Sequence, residues 1–462
     1  METYIDVAVI GAGISGISAA SHLKKKCPNK SFKIFEKRSA IGGTWDLFKY
    51  PGIRSDSDMF TLGFSFKPWK ERKAIADGPS IMNYLKETVS EHELEENINY
   101  NQSLIKAEWS TEKAIWKITL FNSIANKEEI ISCKFLFMCS GYYSYDKGYT
   151  PEFKGIENFN GSIVHPQKWS EEVDYDNKKV VIIGSGATAV TLVPEIAKKA
   201  SKVTMLQRSP TYIVAYPDED MFSNILKAIL PSKLSYALTR FRNVLVQQWI
   251  YTQCRKFPKY MKKFLLNRIR EYLSDDEIKK NFTPSYNPWE QRMCLVPNGD
   301  FFLSIKENKA SVVTDEISNF TSNSIKLKSG KELDADLIVT ATGLNLKLLG
   351  GVDLIVDGKT VEISSTMTYK SMMFSDVPNF ISTFGYLNAS WTLKADLTSQ
   401  YACRLINLMD KKSYKYCSPK IPSNVEEDKD WLAADFSSGY IQRAKHLSVS
   451  YTHLTLPTIV DV

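Results

Sequence analysis

Two glycine-rich turns, about 170 residues apart, carry the most specific chemistry in the sequence. In the first turn, Gly11, Gly13 and Gly16 follow an apolar run that ends at Ile10. The first glycine of such a turn permits a tight bend, the second lets the backbone approach a pyrophosphate, and the third lets a helix pack on the strand. The following helix offers unpaired N–H groups to the phosphates. This pattern predicts a dinucleotide site.

The residue that ends the next strand indicates which dinucleotide fits. Glu36 closes the run SFKIFE, 25 residues after Gly11. A carboxylate at that place accepts hydrogen bonds from ribose hydroxyls and repels a 2′-phosphate, which favours FAD or NAD. A glycine-rich turn without a nucleotide is the alternative interpretation.

The second turn, GSGATA, is followed by a strand with a different end. Gln207 stands in place of the acid, and Arg208 and Ser209 follow it. A guanidinium and a hydroxyl there suit a 2′-phosphate, so NADPH is favoured over NADH; a solvated surface arginine is the alternative for Arg208. The residues expected to contact NADPH are Gly184, Gly186, Ala187, Thr188, Arg208 and Ser209.

Both turns need the same supporting elements, which the hydrophobic pattern supplies. Residues 4–10 and 179–183 have the composition of buried parallel strands, and helical patterns follow to about Lys26 and Lys199. The alternation predicts an α/β fold with two doubly wound, Rossmann-like dinucleotide-binding domains and a helical insertion in the second. The strand ADLIVTATG at 335–343 is expected to return the chain to the first domain.

The expected domain organisation follows from these elements. We expect the first part of an FAD-binding domain at 1–150, a linker at 151–178, an NADPH-binding domain at 179–330 with a helical insertion at about 210–275, and the second part of the FAD-binding domain at 331–447. The tail SVSYTHLTLPTIVDV, 448–462, resembles translated read-through from a sequencing adaptor. We expect it to be non-native; a disordered natural tail is the alternative.

Composition excludes several classes of protein. The apolar content of 43% and the charged content of 24% are ordinary for a globular protein. No two of the seven cysteines form a C-x-x-C pair, which argues against a disulfide framework, a zinc site or a redox dithiol. The sequence contains neither a signal-peptide pattern nor an apolar run of about 18 residues, so we expect a cytoplasmic location.

The positive charge is concentrated in one segment. The net charge is +7, and residues 221–270 contain 11 Lys and Arg with no Asp or Glu, so the rest of the chain carries 7 − 11 = −4. This segment could lie on an anionic membrane surface. A helical insertion with a solvated basic face is the favoured interpretation. No motif supports nucleic-acid binding.

Two longer motifs point to a family. The segments GGTWDLFKYPGIRSD (42–56) and FNGSIVHPQKWS (159–170) together resemble the signatures of type I Baeyer–Villiger monooxygenases, in the class B flavoprotein monooxygenase superfamily. Phe159, Gly161, His165 and Trp169 match the second signature, whereas Ser170 departs from the usual Pro or Asp. The resemblance covers residues 1 to about 447 and is closest to the branch that includes thioamide-prodrug activators.

The resemblance implies FAD and NADPH as cofactors, with O₂ and a small ketone or sulfide as substrates. NADPH would reduce FAD, the reduced flavin would add dioxygen at C4a, and the peroxyflavin would convert ketones to esters or lactones, with sulfoxidation as a second activity. A heteroatom oxygenase of the flavin-containing monooxygenase type is the runner-up. A non-enzymatic flavin- and NADPH-binding redox protein is the alternative from another class.

The resemblance also assigns roles to individual residues. Arg292 is the candidate catalytic cation and Asp56 the carboxylate that orients it; for Arg292, contact with the NADPH 2′-phosphate or a surface salt bridge are the alternatives. His165 and Trp169 have a conformational role, and no metal site is expected. A helix capped by Ser390 would face the flavin; an ordinary capped helix is the alternative. The residues expected to contact FAD are Gly11, Gly13, Gly16, Glu36, Gly43, Thr44, Trp45, Asp56, Gly141, Trp391 and Thr392.

Overall fold

The computed structural model describes residues 3–386, 388–420, 439–443 and 450–451. The chain divides into two compact units. The first unit comprises Met1–Thr44, Met82–Tyr143 and Leu346–Val462, and the second comprises Trp45–Ile81 and Ser144–Asn345. Apart from Ser450–Tyr451, the tail expected to be non-native lies outside the described residues.

The strands are numbered in chain order. They are β1 (Thr3–Ile10), β2 (Phe32–Phe35), β3 (Ile98–Asn99), β4 (Gln102–Ser110), β5 (Ile115–Asn122), β6 (Lys127–Met138), β7 (Ser162–Val164), β8 (Lys179–Ile183), β9 (Lys202–Gln207), β10 (Ile213–Tyr216), β11 (Cys294–Pro297), β12 (Ala310–Thr314), β13 (Ile317–Phe320), β14 (Ser324–Leu327), β15 (Glu332–Asp334), β16 (Leu337–Thr340), β17 (Asp353–Val356), β18 (Lys359–Thr360), β19 (Met367–Tyr369), β20 (Met373–Phe374), β21 (Phe380–Ser382) and β22 (Ser450–Tyr451).

The α-helices are numbered in the same way. They are α1 (Ile14–Lys26), α2 (Thr44–Leu47), α3 (Met59–Leu62), α4 (Gly78–Glu91), α5 (Ala187–Ile196), α6 (Met221–Ile229), α7 (Ser232–Lys256), α8 (Pro258–Arg268), α9 (Asp275–Asn281), α10 (Asp300–Lys306), α11 (Trp391–Lys411) and α12 (Gly439–Arg443). Short 3₁₀ helices lie at Glu95–Asn97, Ile156–Asn158, Pro166–Lys168, Leu348–Gly351 and Ile363–Ser365.

The first unit contains a nine-stranded sheet with a parallel core. Strands β21, β6, β1, β2 and β3 pair in parallel, in that order. The antiparallel strands β4 and β5 extend the sheet from the N-terminal half of β6, and β17 and β18 complete it. The inner strands are apolar because helices and loops cover a parallel sheet on both faces. Val7, Val9 and Ile34 have no exposed surface.

The second unit has a five-stranded parallel sheet of order β12-β9-β8-β16-β7. The elements predicted around both glycine turns are confirmed as β1, α1 and β2 in one unit and β8, α5 and β9 in the other. Helix α5 ends at Ile196, three residues before the expected Lys199. Two dinucleotide-type sheets, each opened by a strand–glycine turn–helix unit, give the predicted fold class.

Three expected boundaries are wrong. Strand β16, within the segment expected to return the chain to the first domain, lies between β8 and β7 because its fully buried LIVT run pairs with Val180 on one side and Ser162 on the other. The chain returns to the first unit at Leu346. The expected linker 151–178 contributes β7 to the same sheet. Residues 45–81, expected in the FAD-binding domain, belong to the second unit.

The helical insertion of the second unit consists of α6 to α9. It follows β10 and ends before β11, and these two strands form a separate parallel pair. In the described residues, no helix is both long enough and apolar enough to cross a bilayer. All seven cysteines are described, and none forms a disulfide.

Candidate cofactor and active site

The first glycine turn has the backbone geometry of a phosphate site. Gly11 has φ +102°, and a Cβ there would lie 2.7 Å from the carbonyl oxygen of Cys139, so glycine is required on both counts. A Cβ on Gly16 would lie 1.8 Å from the Gly11 carbonyl oxygen, which explains how α1 packs so closely on β1. Gly13 caps α1 without a side-chain hydrogen bond, and the first turn of α1 contains no acid. The N–H groups there can therefore receive an anion.

Glu36 is held at the edge of this turn. Its carboxylate is buried and accepts the Ala12 N–H at 2.7 Å and the Arg38 N–H at 2.9 Å. The Arg38 guanidinium donates to the Gly43 carbonyl at 3.2 Å, which joins the second strand to the segment that begins the first signature. The structure thus brings Gly13, Glu36 and Gly43 together, as a ribose and pyrophosphate site requires.

The second glycine turn repeats this geometry in the other unit. Gly184 has φ +130°, and a Cβ there would lie 2.3 Å from the Ala341 carbonyl oxygen. Gly186 caps α5 in an extended conformation (φ −80°, ψ −179°), and a Cβ there would meet nothing within 4 Å. Ala187 and Thr188 open the helix. The open space before α5 is where a second pyrophosphate fits.

The residues at the end of β9 have two different roles. Gln207 is buried, and its amide donates to Asn281 and Thr314 at 2.7 and 2.8 Å, so it serves packing. Arg208 and Ser209 follow the strand and are exposed at its carboxyl end. In parallel sheets that edge receives ligands, so both side chains are placed to reach a ribose phosphate.

The start of α11 carries an aromatic cluster that the sequence did not reveal. Ser390 occupies the N-cap position, and Trp391 donates from Nε1 to Ser15 Oγ at 2.7 Å. The Trp391 ring stacks on Tyr142, with centroids 5.2 Å apart and planes at 19°. Phe384 packs against both rings. The one sequence signal was the aromatic pair that follows Gly141 at the end of β6, a position where parallel sheets bind ligands.

Polar contacts inside the first unit fix α11 against α1. Ser18 Oγ donates to the buried Asp396 carboxylate at 2.8 Å, and Thr392 is fully buried in the first turn of α11. Lys394, on the same helix, is a further residue of this site that the sequence analysis did not identify. Its ammonium donates to the Lys370 carbonyl at 2.7 Å. Burial, together with the smaller effect of the nearby positive charge of Lys370, lowers the pKa of Lys394 to about 8. Gly141 has φ +67° and open space around its Cα.

From Trp45 onward, the first signature packs within the second unit. Tyr50 hydrogen-bonds with Thr188 at the start of α5, and burial raises its pKa to about 12. A Cβ on Gly52 would lie 2.1 Å from Glu195 Cγ on α5, so this glycine permits the close approach. Tyr50 therefore packs against the core of this unit and is tied to the second glycine turn. Trp45, expected to contact FAD, also belongs to this unit.

Arg292 and Asp56 form an ion pair. Arg292 Nε lies 3.2 Å from Asp56 Oδ2, and each side chain is about one-third exposed (36% and 35%). Arg292 precedes β11 by two residues, and Asp56 closes the first signature. The structure thus brings together the two residues that the resemblance paired, although they are 236 positions apart in the chain. A carboxylate so placed fixes the direction of the guanidinium.

The second signature forms an edge strand and the turn after it. Phe159 is buried against Phe320, and a Cβ on Gly161 would lie 2.4 Å from the Asp336 carbonyl oxygen. Trp169 packs on the core of the second unit beside Tyr175. These contacts are structural, so the signature defines how β7 joins the sheet.

His165 stabilises the same turn through hydrogen bonds at both ring nitrogens. Its Nδ1 accepts the Gln167 N–H at 3.1 Å, so the proton of the neutral ring lies on Nε2, which donates to the Gly343 carbonyl at 3.1 Å. Burial lowers the pKa of His165, and its hydrogen bonds with the Gly343 and Tyr149 backbone partly oppose this shift. The imidazole is neutral at pH 7 and fully used in these bonds, in keeping with a conformational role.

The residues present fit both cofactors. In the first unit, the helix start at Gly13, the carboxylate of Glu36 and the aromatic cluster at Trp391 suit a dinucleotide whose ring system is large and whose ribose lacks a 2′-phosphate. In the second, the helix start at Gly186 and the guanidinium of Arg208 suit a dinucleotide with that phosphate. These assignments of individual contacts are predictions.

Comparison with known proteins agrees with this geometry. Residues 5–374 match the family model described as flavin-binding monooxygenase-like. The FAD-containing monooxygenase EthA of Mycobacterium tuberculosis is 50% identical over 446 residues, which cover 96% of this chain and 90% of that protein. The probable FAD-binding monooxygenase AlmA of Acinetobacter baylyi is 48% identical over 448 residues, covering 97% and 90%.

Solved structures of similar fold include monooxygenases bound to NADP. An oxidized steroid monooxygenase bound to NADP has a TM-score of 0.75 at 23% identity and covers 90% of this chain and 87% of its own. Cyclohexanone monooxygenase from Rhodococcus sp. Phi1 bound to NADP⁺ has a TM-score of 0.74 at 19% identity, covering 91% and 87%. The likeness in fold confirms two dinucleotide-binding domains, and the sequence match shows that the chain belongs to the flavin-binding monooxygenase-like family and is an FAD- and NADPH-dependent monooxygenase.

Proposed function

We propose that this monooxygenase carries out Baeyer–Villiger oxidation. One oxygen atom of O₂ is inserted between the carbonyl carbon of a ketone and a neighbouring carbon, and the other leaves as water. The balanced reaction is ketone + O₂ + NADPH + H⁺ to ester or lactone + NADP⁺ + H₂O. The observation that carries the proposal is the Arg292–Asp56 ion pair, which places an oriented, permanent cation in a chain that has both Baeyer–Villiger signatures.

The chemistry of the reaction explains why such a cation is needed. FAD, when bound, supplies the activation of dioxygen with electrons from NADPH. The protein must stabilise negative charge that develops on oxygen without donating a proton to it. Arg292 can do this because a guanidinium keeps its protons at any ordinary pH, whereas an ammonium can lose one. Asp56 holds the guanidinium in one direction and so reduces the reorganisation needed during the reaction.

The relatives support this proposal in part. EthA and AlmA are named as monooxygenases that contain or bind FAD, and solved structures of similar fold include a cyclohexanone monooxygenase and a steroid monooxygenase. Cyclic ketones are therefore the first substrates to test. Arg208 and Ser209, which follow β9, are proposed to contact the 2′-phosphate that distinguishes NADPH from NADH.

Product analysis tests the proposal. The purified protein, loaded with FAD, is incubated with NADPH and a panel of linear, cyclic and aryl ketones and organic sulfides. Esters or lactones formed in proportion to NADPH consumed are the expected result. Sulfoxides from the sulfides, with every ketone recovered unchanged, would instead assign the protein to heteroatom oxygenation.

Variants of the ion pair separate the two roles open to Arg292. If Arg292 stabilises the charge that develops on oxygen, Arg292→Ala and Arg292→Lys lower the yield of ester by about 10²–10³-fold while NADPH oxidation continues and releases hydrogen peroxide. If it binds the 2′-phosphate, KM for NADPH rises and the yield per NADPH is unchanged. Arg72→Ala is the matched control, because Arg72 forms a surface ion pair with Glu219 in the same unit and should have no effect on either quantity.

A further inference from the structure

On helix α7, an apolar stripe faces outward and polar side chains face the protein. Leu234, Leu238, Phe241, Leu245 and Trp249 are spaced by four, three, four and four residues, so they form one stripe along the helix. Each of these side chains is exposed, with exposed fractions between 42% and 61%. The stripe is about 22 Å long, from the rise of 1.5 Å per residue. A helix on the surface of a globular protein normally turns such a stripe inward.

The inward side of α7 is occupied by polar contacts. Tyr236 donates its hydroxyl to the Phe64 carbonyl at 2.9 Å. The amides of Asn243 and Gln247 donate to the buried carboxylate of Asp58 at 3.0 and 2.8 Å. These bonds fix the rotation of α7, since turning the stripe inward would take both amide donors away from a buried carboxylate and leave it with the hydrogen bonds from Thr61. The outward direction of the stripe is therefore built into the fold.

The neighbouring helices continue the pattern. On α6, Met221, Ile225 and Ile229 are exposed at intervals of four residues. On α8, Phe257, Tyr260 and Phe264 form an exposed stripe that begins at the residue before the helix. Lys259 and Lys263 on α8 each precede one of these aromatic residues, so the cations line the side of the aromatic stripe. Three successive helices thus expose large apolar side chains, far beyond the scattered single residues that need no explanation.

The charge of this segment has one sign. Residues 221–270 contain 11 Lys and Arg and no acid. Some of these cations serve the fold: Arg242 pairs with Asp220, and Lys227 donates to the Glu71 carbonyl at 2.5 Å. The charge is otherwise concentrated on and beside α8.

A basic cavity lies at that end of the insertion. It has a volume of about 480 Å³, and its lining includes five cations and one carboxylate, Asp275. Arg270 pairs with Asp275 at 2.8 Å, which leaves an excess of positive charge in the cavity. The cations are Lys259, Lys262, Lys263, Arg270 and Lys279. The cavity is large enough to receive a phosphodiester headgroup.

We propose that α6, α7 and α8 form a docking surface for an anionic lipid bilayer, with the apolar stripes at the level of the acyl chains and the cations among the headgroups. Amphipathic helices bind bilayers in this way, through buried apolar area together with attraction to anionic lipid. A second copy of the chain does not fit this face, because a symmetric pair would place the same acid-free segments against each other. The expectation of a solvated basic face is replaced by a surface on which apolar residues predominate.

Sedimentation with lipid vesicles tests the proposal on the full-length, FAD-loaded enzyme. Vesicles of phosphatidylglycerol and phosphatidylcholine in equal parts should carry the enzyme into the pellet, and vesicles of phosphatidylcholine alone should carry much less. Phe241→Ser with Trp249→Ser should weaken binding roughly tenfold or more, since two large apolar side chains are removed from the acyl-chain region. Lys259→Glu with Lys263→Glu should weaken binding at least as strongly, because each lysine near an anionic surface contributes about fivefold.

Matched variants elsewhere keep the test specific. Ile124→Ser removes an exposed apolar residue of the first unit and is the control for the apolar stripe. Lys326→Glu with Lys331→Glu makes the same change of charge at the three-stranded sheet of the second unit and is the control for the lysine variants. Neither control should alter binding. Equal binding by all variants, or no binding of folded, flavin-containing enzyme to the anionic vesicles, would overturn the proposal. So would a shift from dimer to monomer in the Phe241 and Trp249 variant without any vesicle binding, since that result would assign the face to a second copy. NADPH oxidation in solution serves as the readout that every variant is folded.

Discussion

Two glycines of the second turn should respond to the same substitution in opposite ways. At Gly184, a Cβ would lie 2.3 Å from the Ala341 carbonyl oxygen on a backbone with φ +130°. At Gly186, the backbone is extended and a Cβ would meet nothing within 4 Å. Alanine at Gly184 therefore strains the protein, whereas alanine at Gly186 affects only a ligand that lies in the open space before α5.

The magnitudes follow from these contacts. Gly184→Ala should lower the free energy of unfolding on the order of 1–3 kcal/mol from backbone strain alone, with the steric clash in addition. Gly186→Ala should leave it unchanged or raise it by about 0.4–1 kcal/mol, because the unfolded chain loses freedom. In the Gly186 variant, the methyl group would displace the pyrophosphate and cost one charge-assisted hydrogen bond of about 1.5–3 kcal/mol, which raises KM for NADPH roughly 10- to 150-fold.

Thermal unfolding and steady-state NADPH oxidation measure the two effects. FAD content should remain normal in the Gly186 variant, since the turn that holds FAD is in the other unit. A Gly186→Ala enzyme with an unchanged KM would refute the assignment of this turn to NADPH. A Gly186→Ala enzyme that is strongly destabilised would refute the structural reasoning.

Three further predictions concern single side chains. Arg208→Ala should raise KM for NADPH about tenfold or more and leave KM for NADH unchanged, so that the ratio of the two measures the contact with the 2′-phosphate. Folding lowers the pKa of His165, so the imidazole of the unfolded chain is protonated first as the pH falls, and the folded protein should lose stability below about pH 6.5. Across this pH range, Tm should fall less in His165→Asn than in the unsubstituted protein. An equal fall in both proteins would contradict the role of the neutral ring. Lys394, at the start of α11, has a pKa of about 8, so its ammonium is charged below that pH. If α11 faces the flavin, loss of this charge as the pH rises through 8 should lower the midpoint potential of bound FAD beyond the pH dependence of the flavin itself. Lys394→Met should remove this extra decrease.

The local elements of both nucleotide-binding units could be predicted from the sequence. A buried strand, a glycine turn and a helix are specified by neighbouring residues, and the contacts that require glycine at positions 11 and 184 follow the same rule in both units. The same similarity explains why β16 was wrongly expected to return the chain to the first domain. The residues that follow β16, A-T-G, resemble those that follow β6, C-S-G, and the two strands have equivalent places in different sheets.

Contacts between distant segments could not be predicted in the same way. The packing of Tyr50 on Thr188 places residues 45–81 in the second unit, and no periodicity in the sequence marks it. The stack of Trp391 on Tyr142 joins residues about 250 positions apart. The Arg292–Asp56 pair was expected only because of the family resemblance. For α7, the sequence showed an amphipathic helix, but the inward direction of its polar side depends on Asp58, which lies on another segment.

The central claim is that the enzyme inserts an atom of dioxygen beside a ketone carbonyl. The most direct measurement is mass spectrometry of the product formed from a cyclic ketone, NADPH and isotopically labelled dioxygen. We expect a lactone that carries one labelled oxygen atom per molecule, formed in equal amount to the NADPH consumed. Unlabelled product, or labelled sulfoxide from a sulfide with the ketone untouched, would contradict the account.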